Sequence, residues 1–332
     1  MPIAVWIGFL VFVVAMLMVD LFAFQREAHA VDTREAAIWT GIWVTLGLSF
    51  AVVLWIWKGG DVAGQYLAGY LIEKSLSVDN IFVFAVLFGY FKVPAEYRHR
   101  VLFWGIFGAL VLRFIFIFAG VALLELFHPM IFVFGAFLLW TAWKMWRHSG
   151  AEVDPSDNPV LRLTRRFVPM TTDYHGAHLF TRIDGRLMAT PLFAVLLMVE
   201  STDVVFAVDS IPAVLAVTTD TFLVFTSNAF AILGLRAMYF LLEGSLDKFR
   251  HLSTGLALVL AVVGTKMLLT DIVHVPIWLS LILIGGILTV SIVASLVGET
   301  EPVEAEISHV PAAGAFSGLT RRRKRSEDAD PE

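Results

Sequence analysis

The stretch "VESTDVVFAVDSIPAVL" (199–215) places Glu200, Asp203, Asp209 and a proline, Pro212, inside an apolar run. An ionised side chain at the centre of a bilayer costs about 2.5–3.5 kcal/mol on insertion scales, so acids persist there only beside a partner or a polar cavity. Whether this run crosses a membrane is decided by its surroundings. Of the 332 residues, 58% are hydrophobic and 16% are charged. An average soluble domain carries roughly 25% charged residues. Several stretches reach the ~20 apolar residues that span hydrocarbon. The sequence therefore predicts an all-α polytopic membrane protein.

Nine spans are placed, at 3–24, 38–57, 67–91, 101–123, 129–146, 188–216, 222–242, 253–270 and 276–298. The basic residues test that count. Nineteen of the 24 Lys and Arg fall in the odd-numbered loops and the tail, whereas the even-numbered loops hold only Lys58. Positive residues stay cytoplasmic, so the N-terminus is expected outside and the C-terminus inside. The first span lacks a basic leader and carries Asp20, which reads as a retained helix rather than a cleaved signal.

Residues 1–300 are thus expected to form the membrane domain, with a cytoplasmic loop at about 148–187. Asp184–Gly185 between short alternating runs signals a hairpin in that loop. Residues 301–332, with "RRRKR" followed by "SEDADPE", are expected to be disordered. The basic cluster there suits anionic lipid rather than nucleic acid.

Six acids lie inside the spans: Asp20, Glu73, Asp79, Glu200, Asp203 and Asp209. Four bases accompany them: Lys74, Arg113, Arg236 and Lys266. Their arrangement repeats. "EKSLSVDNI" (73–81) and "DVVFAVDSI" (203–211) each place a carboxylate six residues before a Val-Asp step, and "GALVLRFIF" (108–116) matches Arg113 to Arg236 in "AILGLRAMY" (231–239). A rival register sets "SVDNIF" on "STDVVF" and pairs Asp79 with Asp203. In either register the copies lie three helices apart and so run in opposite directions. That predicts an inverted-repeat core at about 67–270, the architecture in which transporters bind cargo near the midplane on broken helices.

Glu200 and Asp203 share a helical face. Asp203 and Asp209 are six residues apart, about 240° round an ideal helix, and would converge only if the helix broke between them. Pro212 is expected to supply the break. The predicted metal site then gathers Glu73, Asp79, Glu200, Asp203 and Asp209, with Asn80 and Ser210 nearby. All are hard oxygen donors. The chain has no cysteine and no histidine in the core of these spans, so the set suits Mn²⁺, Mg²⁺ or Ca²⁺.

Arg113 and Arg236 are expected to neutralise neighbouring carboxylates, with substrate binding as the alternative. Lys74 is expected to snorkel to another face, with a built-in counter-ion as the alternative. Asp20 reads equally as a support to the site and as a headgroup-level acid. Asn228 and Lys266 read as structural hydrogen-bonding groups, and His175 and His178 as solvated loop residues. Trp57, Trp140, Trp143 and Trp278 suit an interfacial belt.

The runs "EKSLSVDNIFVFAVLF", "VESTDVVFAVDSIPAVLAVTTD" and "FTSNAFAILGLRAMYFLL" resemble the TerC family of bacterial membrane proteins, the Alx-type manganese exporters among them. "QREAHAVDTREAAIWT" and "ATPL" fit as well, and the likeness covers roughly residues 10–300. The resemblance implies Mn²⁺ export across a bacterial inner membrane, with Glu73, Asp79, Glu200, Asp203 and Asp209 at the motif positions that matter.

No GxxxxGK[ST] phosphate loop occurs, so a secondary transporter, proton-coupled and not an enzyme, is expected, with no cofactor beyond the transported ion. An intramembrane aspartyl protease is the weakest reading, because the repeat already explains the acids' spacing. Ca²⁺ or a cationic amino acid as cargo stays open, as does assistance to membrane-protein assembly. Expected partners are the ion and the bilayer, with a second copy of the chain or the translocation machinery left open.

Overall fold

A chain crossing hydrocarbon must pair its backbone groups within each segment, and helices do so. The computed structural model describes residues 2–24, 33–127, 129–147, 168–171, 173–183, 185–243, 252–273 and 275–297. Its helices are α1 (Ile3–Phe24), α2 (Thr33–Lys58), α3 (Gly60–Tyr90), α4 (Ala95–Leu126), α5 (Met130–Arg147), α6 (Pro191–Leu215), α7 (Thr221–Ile232), α8 (Leu235–Leu242), α9 (Leu252–Leu268) and α10 (Ile277–Val297). Six stretches are long and apolar enough to cross a membrane, and one of them, Thr221–Leu242, comprises α7 and α8 together. The remaining helices α3, α5 and α9 bring the bundle to the nine expected segments. Residues 148–167 of the expected cytoplasmic loop and the tail at 301–332 lie outside the described residues.

The helices pair as two halves exchanged by a two-fold should. With α3–α4–α5 as one half and α6–α7/α8–α9 as the other, a two-fold exchanges α3·α7 with α4·α6, and both pairs are among the most extensive packings in the molecule. The α5·α9 pair, related to itself by that axis, is the most extensive of all. Its crossing is glycine on glycine. A Cβ on Gly135 would lie 3.1 Å from the Gly264 carbonyl oxygen, and a Cβ on Gly264 2.9 Å from that of Gly135. Only small residues let membrane helices approach so closely. Gly105 and Gly120 likewise admit Val199 and Leu215 where α4 meets α6.

Helices α1 and α2 brace the outside of the repeats through rings: Trp6 and Phe9 of α1 and Phe50 of α2 meet Phe222, Phe225 and Phe230 of α7 at 5.0–5.9 Å between centroids. Such edge and tilted pairs add to simple burial.

Helix α6 runs unbroken from Pro191 to Leu215 with Pro212 inside it. The break expected between Asp203 and Asp209 is absent. Pro212 withholds a donor only from the carbonyl of Val208, an exposed residue on the last turns, and the helix ends three residues later, so little ladder remains to disrupt. The interruption falls instead at Leu233–Gly234, where Gly234 takes φ 84°, a left-handed conformation that costs glycine little.

The predicted hairpin forms: β1 (Phe180–Ile183) pairs antiparallel with β2 (Arg186–Ala189) about Gly185 at φ 77°. Thr190 ties it to the start of α6 by donating to the His178 carbonyl at 2.7 Å. Tyr174 donates to the Phe91 carbonyl at the end of α3, 2.8 Å away, and burial pushes its hydroxyl up to about 12.

Candidate functional site

Four helices meet at one guanidinium. Arg113 of α4 is 1% exposed and ion-pairs with Glu73 of α3, which is fully buried. Its Nε and Nη2 donate to the two carboxylate oxygens of Asp203 on α6, at 3.4 and 3.2 Å. Its Nη1 donates to Ser210 Oγ at 3.3 Å and to Asn228 Oδ1 on α7 at 3.2 Å. Asn228 closes the ring by donating from Nδ2 to Glu73 Oε2 at 2.9 Å. The rigid fork of arginine suits this side-on grip of a carboxylate. Two acids share one base, so the cluster holds more carboxylates than bases.

Arg236, its match in the second half, does not reach this cluster. It pairs with Asp20 of α1 at 3.0 Å from Oδ2 and also meets the Asp20 backbone carbonyl.

The other expected ligands sit apart. Asp209 accepts from Thr141 of α5 at 3.2 Å and is half-buried. It points away from Asp203 because α6 is continuous, as the 240° of ideal helix requires. Glu200 is half-buried against Gly108 of α4, where any side chain would collide with its carboxylate, and one of its oxygens is buried without a partner. Among the described residues Asp79 has no hydrogen bond or ion pair, and the Asn80 side-chain oxygen is buried and unpartnered.

Glu73, Asp203 and Ser210 are therefore gathered, and Asp79, Asn80, Glu200 and Asp209 are not. The expected seven-ligand convergence does not hold in this arrangement: among the described residues no group of three or more His, Asp or Glu side chains stands ready to hold a metal ion. Arg113 takes the neutralising role expected of it. Lys74 does not snorkel; its Nζ donates to the Ala231 carbonyl at 3.1 Å. Lys266 donates to Ser280 at 3.1 Å, as a structural group.

Sequence reasoning missed Gly108 and Thr141. The spacing of Gly105 and Gly108 marks a small face on α4, and Thr141 is a lone polar residue in "LLWTAW". Both signals were present, but neither identifies its partner.

The fold and this cluster define a polytopic α-helical membrane protein that buries opposing charges where its helices α3, α4, α6 and α7 meet. Residues 58–301 match the Integral membrane protein TerC family, and the chain belongs to that family. It is 54% identical over 293 residues to an uncharacterized membrane protein of Myxococcus xanthus, covering 88% of this chain and 92% of the relative. It is 50% identical over 297 residues to the Salmonella typhi protein named "Putative membrane-bound redox modulator Alx", covering 87% and 92%. Identity to the protein of that name from Escherichia coli K12 is 48% over 297 residues, with the same coverage. No solved structure matches the chain.

Proposed function

We propose that this protein is a secondary transporter that exports Mn²⁺ from the cytoplasm across the bacterial inner membrane in exchange for protons, with its N-terminus outside and its C-terminus inside. One observation carries the reading: Glu73 and Asp203, at matching positions of the two repeats, converge on a single buried cation, Arg113. The guanidinium occupies the place where a transported cation would be neutralised. An arriving Mn²⁺ competes with it for the two carboxylates, while Ser210 and Asn228 offer neutral oxygens. Glu200, one helical turn before Asp203, and the unpartnered Asp79 and Asn80 supply further hard donors as the halves rearrange. Protonation of the carboxylates from outside weakens the ligand field and releases the ion.

A second reading is favoured by the guanidinium itself. A pocket that seats an arginine side chain between two acids has the chemistry to seat a cationic amino acid. The name "redox modulator" belongs to the Alx relatives; this chain has no cysteine and so no thiol for redox exchange.

Cell manganese measured in strains carrying Glu73→Gln or Asp203→Asn tests the proposal. Loss of efflux in both supports it, and wild-type efflux in both overturns it. In proteoliposomes, competition of Mn²⁺ transport by lysine or arginine, but not by Ca²⁺, selects the second reading.

A further inference from the structure

Helix α7 ends inside the bundle at Ile232, and the chain turns at Leu233–Gly234 before resuming as α8. A helix that stops there leaves its last carbonyls without donors from the next turn, and lipid offers none. The gap is filled from outside the helix. Lys74 of α3 donates from Nζ to the carbonyl of Ala231, the second-last residue of α7, at 3.1 Å. A cation at this position also faces the negative end of the half-helix dipole. Among the described residues Lys74 makes no ion pair, so it is not spent on a carboxylate.

The preceding residue, Glu73, accepts from Asn228, one turn earlier on the same half-helix. Two consecutive residues of α3 thus grip α7 at two points, and together they fix its rotation and axial height. Beyond the break the chain is held by other elements: Arg236 pairs with Asp20 of α1, and Gly234 lies against Trp43 of α2. Helix α7 takes its polar ties from α3 and its ring contacts from α1 and α2, whereas α8 is paired by charge to α1.

We propose that Lys74 is a positioning residue: it caps the broken end of α7 and so holds the Asn228 carboxamide between Glu73 and Arg113. Only the transport readout below rests on the cation-export reading; the distance readout does not.

The absence of cysteine permits a clean spin-label pair in the full chain in lipid nanodiscs, at Lys58→Cys and Thr219→Cys. Both positions are exposed, one at the end of α2 and one just before α7. With Lys74 intact, the dipolar spectrum is expected to show one narrow distance. Lys74→Met is expected to broaden or shift it, and Lys74→Arg to restore it. Lys74→Gln keeps a donor without the charge and serves should the methionine variant fail to fold; an intermediate width is expected. In Mn²⁺ proteoliposomes Lys74→Met should raise KM by about tenfold, the size of one charge-assisted hydrogen bond, with Lys74→Arg near wild type. An unchanged distance distribution in both Met and Gln variants overturns the cap. A changed distribution with wild-type KM overturns the link to the site. If the wild-type protein moves no Mn²⁺ yet the distances respond and arginine rescues them, the cap stands and the cargo assignment alone falls.

Discussion

Arg113 and Arg236 occupy matching positions in the two repeats, and both are wholly buried. Arg113 sits where α3, α6 and α7 converge and is shared by Glu73 and Asp203. Arg236 follows the break in the second half and faces α1, a helix outside the repeats, where Asp20 is its carboxylate. Among the described residues Asp20 is the one carboxylate seen to pair with Arg236, and the pair fastens α8 to α1. A two-to-one cluster holds more carboxylates than bases in a medium that penalises ionised groups. The same residue at the same repeat position therefore fastens a helix outside the repeats in one half and joins two acids of the core in the other.

The largest test of that contrast removes the shared base. Arg113→Met leaves Glu73 and Asp203 buried and unpaired, a loss of about 3–5 kcal/mol, read as a lower Tm in detergent. Added Mn²⁺ should recover more of that Tm in the variant than it adds to the wild type; an equal response in Arg236→Met would erase the distinction between the two arginines. Asp20→Asn comes next, at about 1–3 kcal/mol for a buried charged donor left half-partnered. Its Tm should fall without any change in the response to Mn²⁺. The smallest effect belongs to Thr141→Val, which removes the hydrogen bond to half-buried Asp209 for about 0.5–1.5 kcal/mol. Chemical denaturation of the reconstituted protein should resolve it, and a loss as large as that of Arg113→Met would place Asp209 on a par with Asp203.

Much of this was legible in the residues. Hydropathy and the segregation of Lys and Arg gave the span count, because the bilayer's demand for apolar length and backbone self-pairing leaves few alternatives. Glu73 and Asp203, aligned in the first register, share Arg113 as a partner, whereas Asp79, which the rival register aligns with Asp203, makes no hydrogen bond or ion pair among the described residues. Pro212 misled, because a proline's effect depends on how much helix follows it, and here only three residues do. The break at Gly234 was harder to read, since "AILGLRAMY" is apolar on both sides and its glycine could equally have been a packing contact. Which acids converge could not be read from spacing alone, because it depends on whether α6 bends. The roles of Gly108 and Thr141 exist only across helix interfaces.

The Gly135–Gly264 crossing gives the two halves a lock as well as a contact. Met267 and Leu268 of α9 stand 3.0 Å from where a Cβ of Gly135 would lie, and Leu138 and Leu139 of α5 stand 3.1 and 3.2 Å from that of Gly264, so the side chains beside each glycine fill the notch that the other leaves. A tilt of one helix on the other must lift those side chains from their seats, and the crossing resists it together with the charged ring around Arg113.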